Sequence, residues 1–117
     1  VTDTLRITGL AVAAYIGVHD WERAVRQPLF VDLEFPTDAT AAAKTDDLRD
    51  ALDYGAVARR VNEIVGASRC GLIETLAELI AERLLAEYSI ERVTIVVHKP
   101  SAVAGARDTS IEIERSR

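Results

Sequence analysis

A single cysteine, Cys70, leaves no internal disulfide to form in these 117 residues. No histidine or second cysteine stands at metal-ligand spacing from it, so a disulfide or zinc framework is excluded and the reducing cytoplasm is the expected compartment. The chain has no run of about 18 apolar residues and no charged-then-apolar leader, so neither a membrane span nor a secretory signal is expected. It also lacks a basic excess: the net charge is −5, the wrong sign for non-specific nucleic-acid binding. HExxH, CxxC, GxSxG and the glycine-rich phosphate loop are all missing. The metalloprotease, dithiol, serine-hydrolase and nucleotide-binding readings fall with them. An enzyme of this composition works with acids, bases and shape, without a metal or cofactor.

What is present suits a packed core. Hydrophobic residues make up 49% of the chain, enough for one domain over residues 1–117. "LRITGLAVAAYIGV" is rich in β-formers, and Gly9 interrupts its alternation, predicting one long strand with a bulge. "PLFVDLEF" alternates cleanly, with Leu29, Val31, Leu33 and Phe35 on one side and Phe30, Asp32 and Glu34 on the other. The polar "HDWERAVRQ" between them is too short for a parallel crossover and predicts an antiparallel connection. "AAAKTDDLRDALDYGAV" reads as a polar connection with a helical turn, and Asp53 as the N-cap of the next helix. That helix sets Val57, Val61, Ile64 and Val65 on one face, with Gly66 at its C-terminus. "LIETLAELIAERLLAEY" predicts a second amphipathic helix, with Leu72, Ile73, Leu76, Leu79 and Ile80 on the face to be buried. "RVTIVVH" and "TSIEIER" predict two closing strands. The order β-β-α-α-β-β predicts an α+β fold: a four-stranded antiparallel sheet with two helices on one face. Asp32, Glu34, Glu112 and Glu114 mark the polar sheet face, which meets water or a partner subunit.

Four side chains are candidates for chemistry, each with a plainer reading beside it. Glu74 stacks with Glu78 and Glu82 at i, i+4 steps, the pattern of a solvated helix face. It also lies in the first turn, where free N–H groups and the helix dipole favour an anion. Lys99 precedes Pro100, which keeps it extended. At a strand end it is either solvated or, if desolvated, a usable acid or base. Tyr54 begins a helix, either as a half-buried aromatic or as a flat ring for stacking on a heterocycle. Glu22, beside Trp21 in a loop, is either solvated or functional, and Trp21 would pin that loop by burying its ring. His19 and His98 fit no motif.

Together "YIGVHDWER", "TDDLRDALDYGAV", "GLIETLAELIAERLL" and "VTIVVHKPSAVAGA" resemble, in register over essentially the whole chain, the bacterial dihydroneopterin aldolase family. The resemblance implies the tunnelling fold and a retro-aldol reaction of folate biosynthesis. In it 7,8-dihydroneopterin gives 6-hydroxymethyl-7,8-dihydropterin and glycolaldehyde, with C2′ epimerisation to dihydromonapterin as a side activity. It implies no Schiff base and no metal: the pterin ring, protonated at N5, takes up the electrons. By the same resemblance Glu74 anchors the ring's 2-amino and N3–H groups, and the Ile73 backbone adds ring contacts. Lys99 is the general acid/base, and Glu22 orients the glycol side chain. Tyr54 closes the site from a neighbouring subunit, within rings of four that stack as an octamer, where it stacks on the pterin ring and exchanges a proton with the enol intermediate. Many relatives carry a "PPIP"-type loop after the lysine, where this chain reads "KPSAVAGARDTS". Two alternatives remain. A dihydroneopterin triphosphate epimerase would need basic residues near the side-chain end, for which Arg23, Arg26 and Arg107 are available. A non-catalytic pterin- or purine-binding module would share the scaffold.

Overall fold

The computed structural model describes residues 3–117. Strand β1, Asp3–Ile16, pairs antiparallel with β2, Gln27–Thr37. The register slips between Ile7 and Leu10, where Gly9 takes φ +68°, a left-handed conformation that suits a residue without Cβ. The extra residue changes the parity of the strand. Before the bulge the odd positions Leu5 and Ile7 turn toward the core; after it the even positions Val12, Ala14 and Ile16 do. This is the shift of face that a one-residue slip produces.

Helix α1, Asp20–Ala24, lies between β1 and β2; α2, Ala39–Thr45, and a 3-10 turn, Leu48–Asp50, follow. The Asp53 carboxylate accepts from the Ala56 N–H at 3.0 Å and starts α3, Tyr54–Ala67, which buries Val57, Val61, Ile64 and Val65. The helix runs one residue beyond Gly66 and ends at Ser68, whose hydroxyl donates to the Val65 carbonyl at 2.7 Å. Gly66 therefore sits within the last turn, not past it. Next come β3, Arg69–Cys70, α4, Ile73–Glu87, β4, Arg92–His98, and β5, Ser110–Ser116.

The fold class is α+β. The sheet has five strands where the sequence suggested four, in the order β3-β1-β2-β4-β5. The addition is β3, only two residues long and parallel to Tyr15–Ile16; two residues carry no alternation that would reveal a strand. Helix α3 packs over β1, and α4 over β4 and β5. Between helices and sheet lie Leu29, Val31, Leu33, Phe35, Val93, Ile95 and Val97, all almost wholly buried. Leu72, expected on the buried helix face, is instead the exposed N-cap of α4.

The molecule is elongated, 51 × 27 × 22 Å, with a radius of gyration of 15.3 Å, against about 13 Å for a compact chain of this length. The long β1–β2 ribbon accounts for the excess. Among the described residues, β1 has no strand on its outer edge before Tyr15, and β5 has none on its far side.

Candidate active site

Strand β3 brings the two halves of a cleft together. The Gly17 N–H donates to the Cys70 carbonyl at 3.2 Å, so the turn after β1 lies beside the turn that opens α4. A cleft of about 440 Å³ forms there. Glu22, Ile73, Glu74 and Lys99 all line it, with the loop after β4 contributing Ser101, Ala102 and Thr109.

Glu22 is the buried member. It lies on α1, not in a loop, and is 5% exposed. Its Oε2 accepts from Lys99 Nζ at 2.6 Å, and its Oε1 from the His19 N–H at 3.3 Å. The Lys99 ammonium lowers the Glu22 carboxyl pKa below its ordinary value, against burial, which acts to raise it. Lys99 is not solvated either: its side chain is 13% exposed. Its neighbour Pro100 leaves it extended, and its N–H donates to the Thr109 carbonyl at 2.8 Å.

Glu74 lies in the first turn of α4, exposed and without an ion pair among the described residues. Its expected row-mate Glu78 is paired with Arg115. The N-cap of this helix is Leu72, with no side-chain cap bond. The first intrahelical bond in this turn comes from Leu76 to Leu72. The earlier N–H groups of the turn therefore have no intrahelical acceptor and remain available to a ligand. A leucine at N-cap forgoes about 0.5–2 kcal/mol that a serine or aspartate would supply. The rim is apolar: Val18, Trp21 and Leu72 line the cleft, each at least half exposed. Trp21, expected to bury its ring, is 62% exposed. An exposed carboxylate, free N–H donors and apolar walls suit a flat, polar-edged heterocycle.

Tyr54 is elsewhere. Its ring is 59% exposed and not half-buried in the core. It begins α3, whereas the cleft lies beyond that helix's far end, about 20 Å along a 14-residue helix. Within one chain it does not reach the cleft. None of the three arginines considered for a phosphate lines the cleft. Arg26 stacks over the Tyr15 ring, 4.6 Å from its centroid, Arg23 lies at a separate small hollow beside Tyr15 and Arg69, and Arg107 is exposed. Among the described residues no group of three His, Cys, Asp or Glu side chains is placed to hold a metal ion.

Two contributors escaped the sequence reading. Gly17 has φ +133°, and a Cβ there would lie 2.2 Å from the Glu22 carboxyl carbon; the carboxylate occupies the space that this glycine leaves. Gln27 is 6% exposed, with its side-chain amide donating to the Ile16 carbonyl at 2.6 Å. A glycine between a strand and an acidic helix was the one available signal for the first. Nothing in the local sequence marks the second.

Comparison with known proteins gives a consistent family. The model for FolB, dihydroneopterin aldolase, matches residues 5–114. Dihydroneopterin aldolase of Escherichia coli K12 is 42% identical over 113 residues, covering 97% of this chain and 93% of that protein. A FolB structure from Vibrio cholerae O1 superposes with TM-score 0.95 at 40% identity, covering 98% of each chain. The E. coli dihydroneopterin aldolase structure in complex with neopterin superposes with TM-score 0.94 at 41% identity, covering 98% of this chain and all of that one.

Proposed function

The chain belongs to the dihydroneopterin aldolase family and carries its lyase function in folate biosynthesis, and we propose that Glu74, Ile73, Glu22, Lys99 and a neighbouring copy's Tyr54 perform the reaction. Glu74 accepts from the pterin's 2-amino and N3–H groups, a pair of parallel donors that a carboxylate matches. The Ile73 backbone at the uncapped start of α4 holds the ring edge. Lys99, through water, serves the C2′ hydroxyl and N5. As the hydroxyl loses its proton, the C1′–C2′ bond breaks, glycolaldehyde leaves, and its electron pair passes into the C6–N5 imine, where N5 is protonated. Protonation at C1′, with loss of the N5 proton as the C6–N5 imine re-forms, then gives 6-hydroxymethyl-7,8-dihydropterin. Glu22 orients the glycol hydroxyls and keeps Lys99 directed at them. If the aldehyde turns over before that last protonation, re-addition inverts C2′, which accounts for epimerisation to dihydromonapterin.

The observation that carries this reading is the cleft itself, in which a buried carboxylate–ammonium pair and an open helix start with a free carboxylate line the same walls. No arginine lines it, which disfavours a triphosphate substrate. The same geometry supports a reading of the assembly. The unpartnered edges of β1 and β5 suit continuation of the sheet from copy to copy, and Tyr54 needs a second chain to reach a cleft. We read the assembly as a ring of four, stacked as an octamer, acting in the cytoplasm, with residues 1–117 as its one domain.

The test is incubation with 7,8-dihydroneopterin, following glycolaldehyde and 6-hydroxymethyl-7,8-dihydropterin. Lys99→Ala should lower turnover by about 10²-fold or more, the usual scale for a general acid/base, while still binding pterin. Wild-type protein that binds pterin without turnover would make this a binding module.

A further inference from the structure

His98, the last residue of β4, lies on the opposite side of the strand from Lys99. Its Nδ1 is 2.6 Å from Asp108 Oδ2 and its Nε2 is 2.7 Å from Asp32 Oδ2. Asp32 also accepts from the Gly9 N–H at 2.7 Å. A line of contacts thus crosses from the bulge of β1 through β2 and β4 to the segment before β5. A neutral imidazole has one N–H and cannot donate to both carboxylates, so both contacts are hydrogen bonds only while the ring is an imidazolium.

The next residue in each segment extends the clamp. Lys99 donates its N–H to the carbonyl of Thr109, which follows Asp108. Side chain and backbone together therefore close the base of the loop over residues 100–109. That loop supplies Ser101, Ala102 and Thr109 to the cleft wall.

We propose that His98 is a positioning residue: its clamp on Asp32 and Asp108 fixes the end of β4 and the base of the following loop, and so sets the direction of the Lys99 ammonium from behind the cleft. The inference rests on the reading of Lys99 as the acid/base.

The arrangement has a definite pH dependence. The charged groups facing His98 are Asp108 from the loop and Asp32 from β2. Glu112 of β5 is one rung away on the same face, opposite Val96. Lys99 faces away. Asp108 first, then Asp32, raise the His98 pKa above its ordinary value of 6.5, against desolvation. The clamp is fully present below 6.5 and is lost as pH rises through that raised value.

The experiment is a kcat and KM profile against pH for wild type, Asp108→Asn and His98→Ala, with pterin turnover as readout and circular dichroism as the folding check. Asp108 is exposed, so Asp108→Asn keeps the shape of the loop while replacing the charged acceptor whose hydrogen bond raises the His98 pKa most with a neutral amide. It should move one alkaline limb of kcat toward lower pH. His98→Ala should remove that limb and lower kcat about tenfold with KM changed by less than about twofold, the cost expected of a misdirected group rather than a lost contact. A folded Asp108→Asn enzyme with wild-type kcat and an unmoved profile overturns the proposal, whether or not His98→Ala folds. Lys99→Ala separates the two claims. If it turns over normally, the acid/base reading fails; if it is inactive while Asp108→Asn is indistinguishable from wild type, only the clamp fails.

Discussion

Removing either partner of the Glu22–Lys99 pair should destabilise the protein more than removing both. The two side chains are 7% and 13% exposed and 2.6 Å apart. Breaking a fully buried pair by deleting one partner costs about 3–5 kcal/mol, because the other charge is left uncompensated. Here the cleft admits water to the pair, so we expect about 1–3 kcal/mol for Lys99→Met or Glu22→Gln. In Lys99→Met the remaining carboxylate keeps the long His19 N–H bond, 3.3 Å, and the neighbouring Gln27 side chain, but no charge partner. In Glu22→Gln/Lys99→Met neither charge remains, and the double variant should recover most of that loss, giving a coupling of about 2–4 kcal/mol. At this chain length that corresponds to roughly 8–16 °C in Tm. The sign with pH is fixed. The Glu22 pKa is lowered in the folded chain, chiefly by Lys99. Its stabilisation is present above the ordinary carboxylate value of 4.5 and disappears as pH falls through the lowered one. Thermal melts of the four proteins between pH 3 and 8 measure this. Additive single-variant losses at pH 7, or a coupling that grows as pH falls, would refute the argument.

Other outcomes follow from single contacts. Glu74→Ala should weaken pterin binding about 10- to 100-fold with kcat little changed, because its partners are ring donors present before and during the reaction. Titration calorimetry with a non-reactive pterin checks this, and unchanged affinity would remove Glu74 as the anchor. Lys99→Ala and Tyr54→Ala, each inactive alone, should regain about a quarter of wild-type activity when co-refolded in equal amounts, since random assortment in a ring gives one site in four with both native residues. Continued inactivity of the mixed rings would place both residues in one chain's site. Gly17→Ala should cost about 2 kcal/mol or more and abolish turnover: the new Cβ meets the Glu22 carboxyl at 2.2 Å, at φ +133°. Wild-type Tm and activity in that variant would show that the carboxylate moves aside freely.

The elements that sequence disclosed were those whose environment repeats. Alternation in β2 and β4 has a period of two because one face of the sheet meets helices and the other does not, so Leu29 to Phe35 and Val93 to Val97 declared their burial. The bulge at Gly9 was legible because glycine breaks that alternation. Strand β3 was not, because two residues hold no period. Family resemblance singled out Glu22, Glu74 and Lys99, which line one cleft, and Tyr54, which does not line it within one chain; the surroundings of all four were not legible. Nothing near Glu22 in sequence indicates burial, since its charge partner Lys99 lies 77 positions away.

Under its proposed role, Glu74 shows why pattern fails specifically at a binding site. Amphipathic reading assigns every polar residue on a helix to water, because water is the usual partner of an unpaired polar group. A site that must receive a ligand keeps its donors and acceptors unpaired until the ligand arrives, and so imitates a solvated surface. The distinguishing mark is therefore not the acid itself but what surrounds it. A helix start capped by leucine, with the Val18 and Trp21 side chains exposed beside it, is a poor surface for a lone protein in water. Stability that a serine cap and a polar rim would have supplied is absent where Glu74 stands. That combination, an acid in the first turn of an uncapped helix with apolar neighbours left open, separates a ligand anchor from the ordinary acidic face continued by Glu78 and Glu82. Glu78, held by Arg115, already has its partner, whereas Glu74 has no ion pair among the described residues.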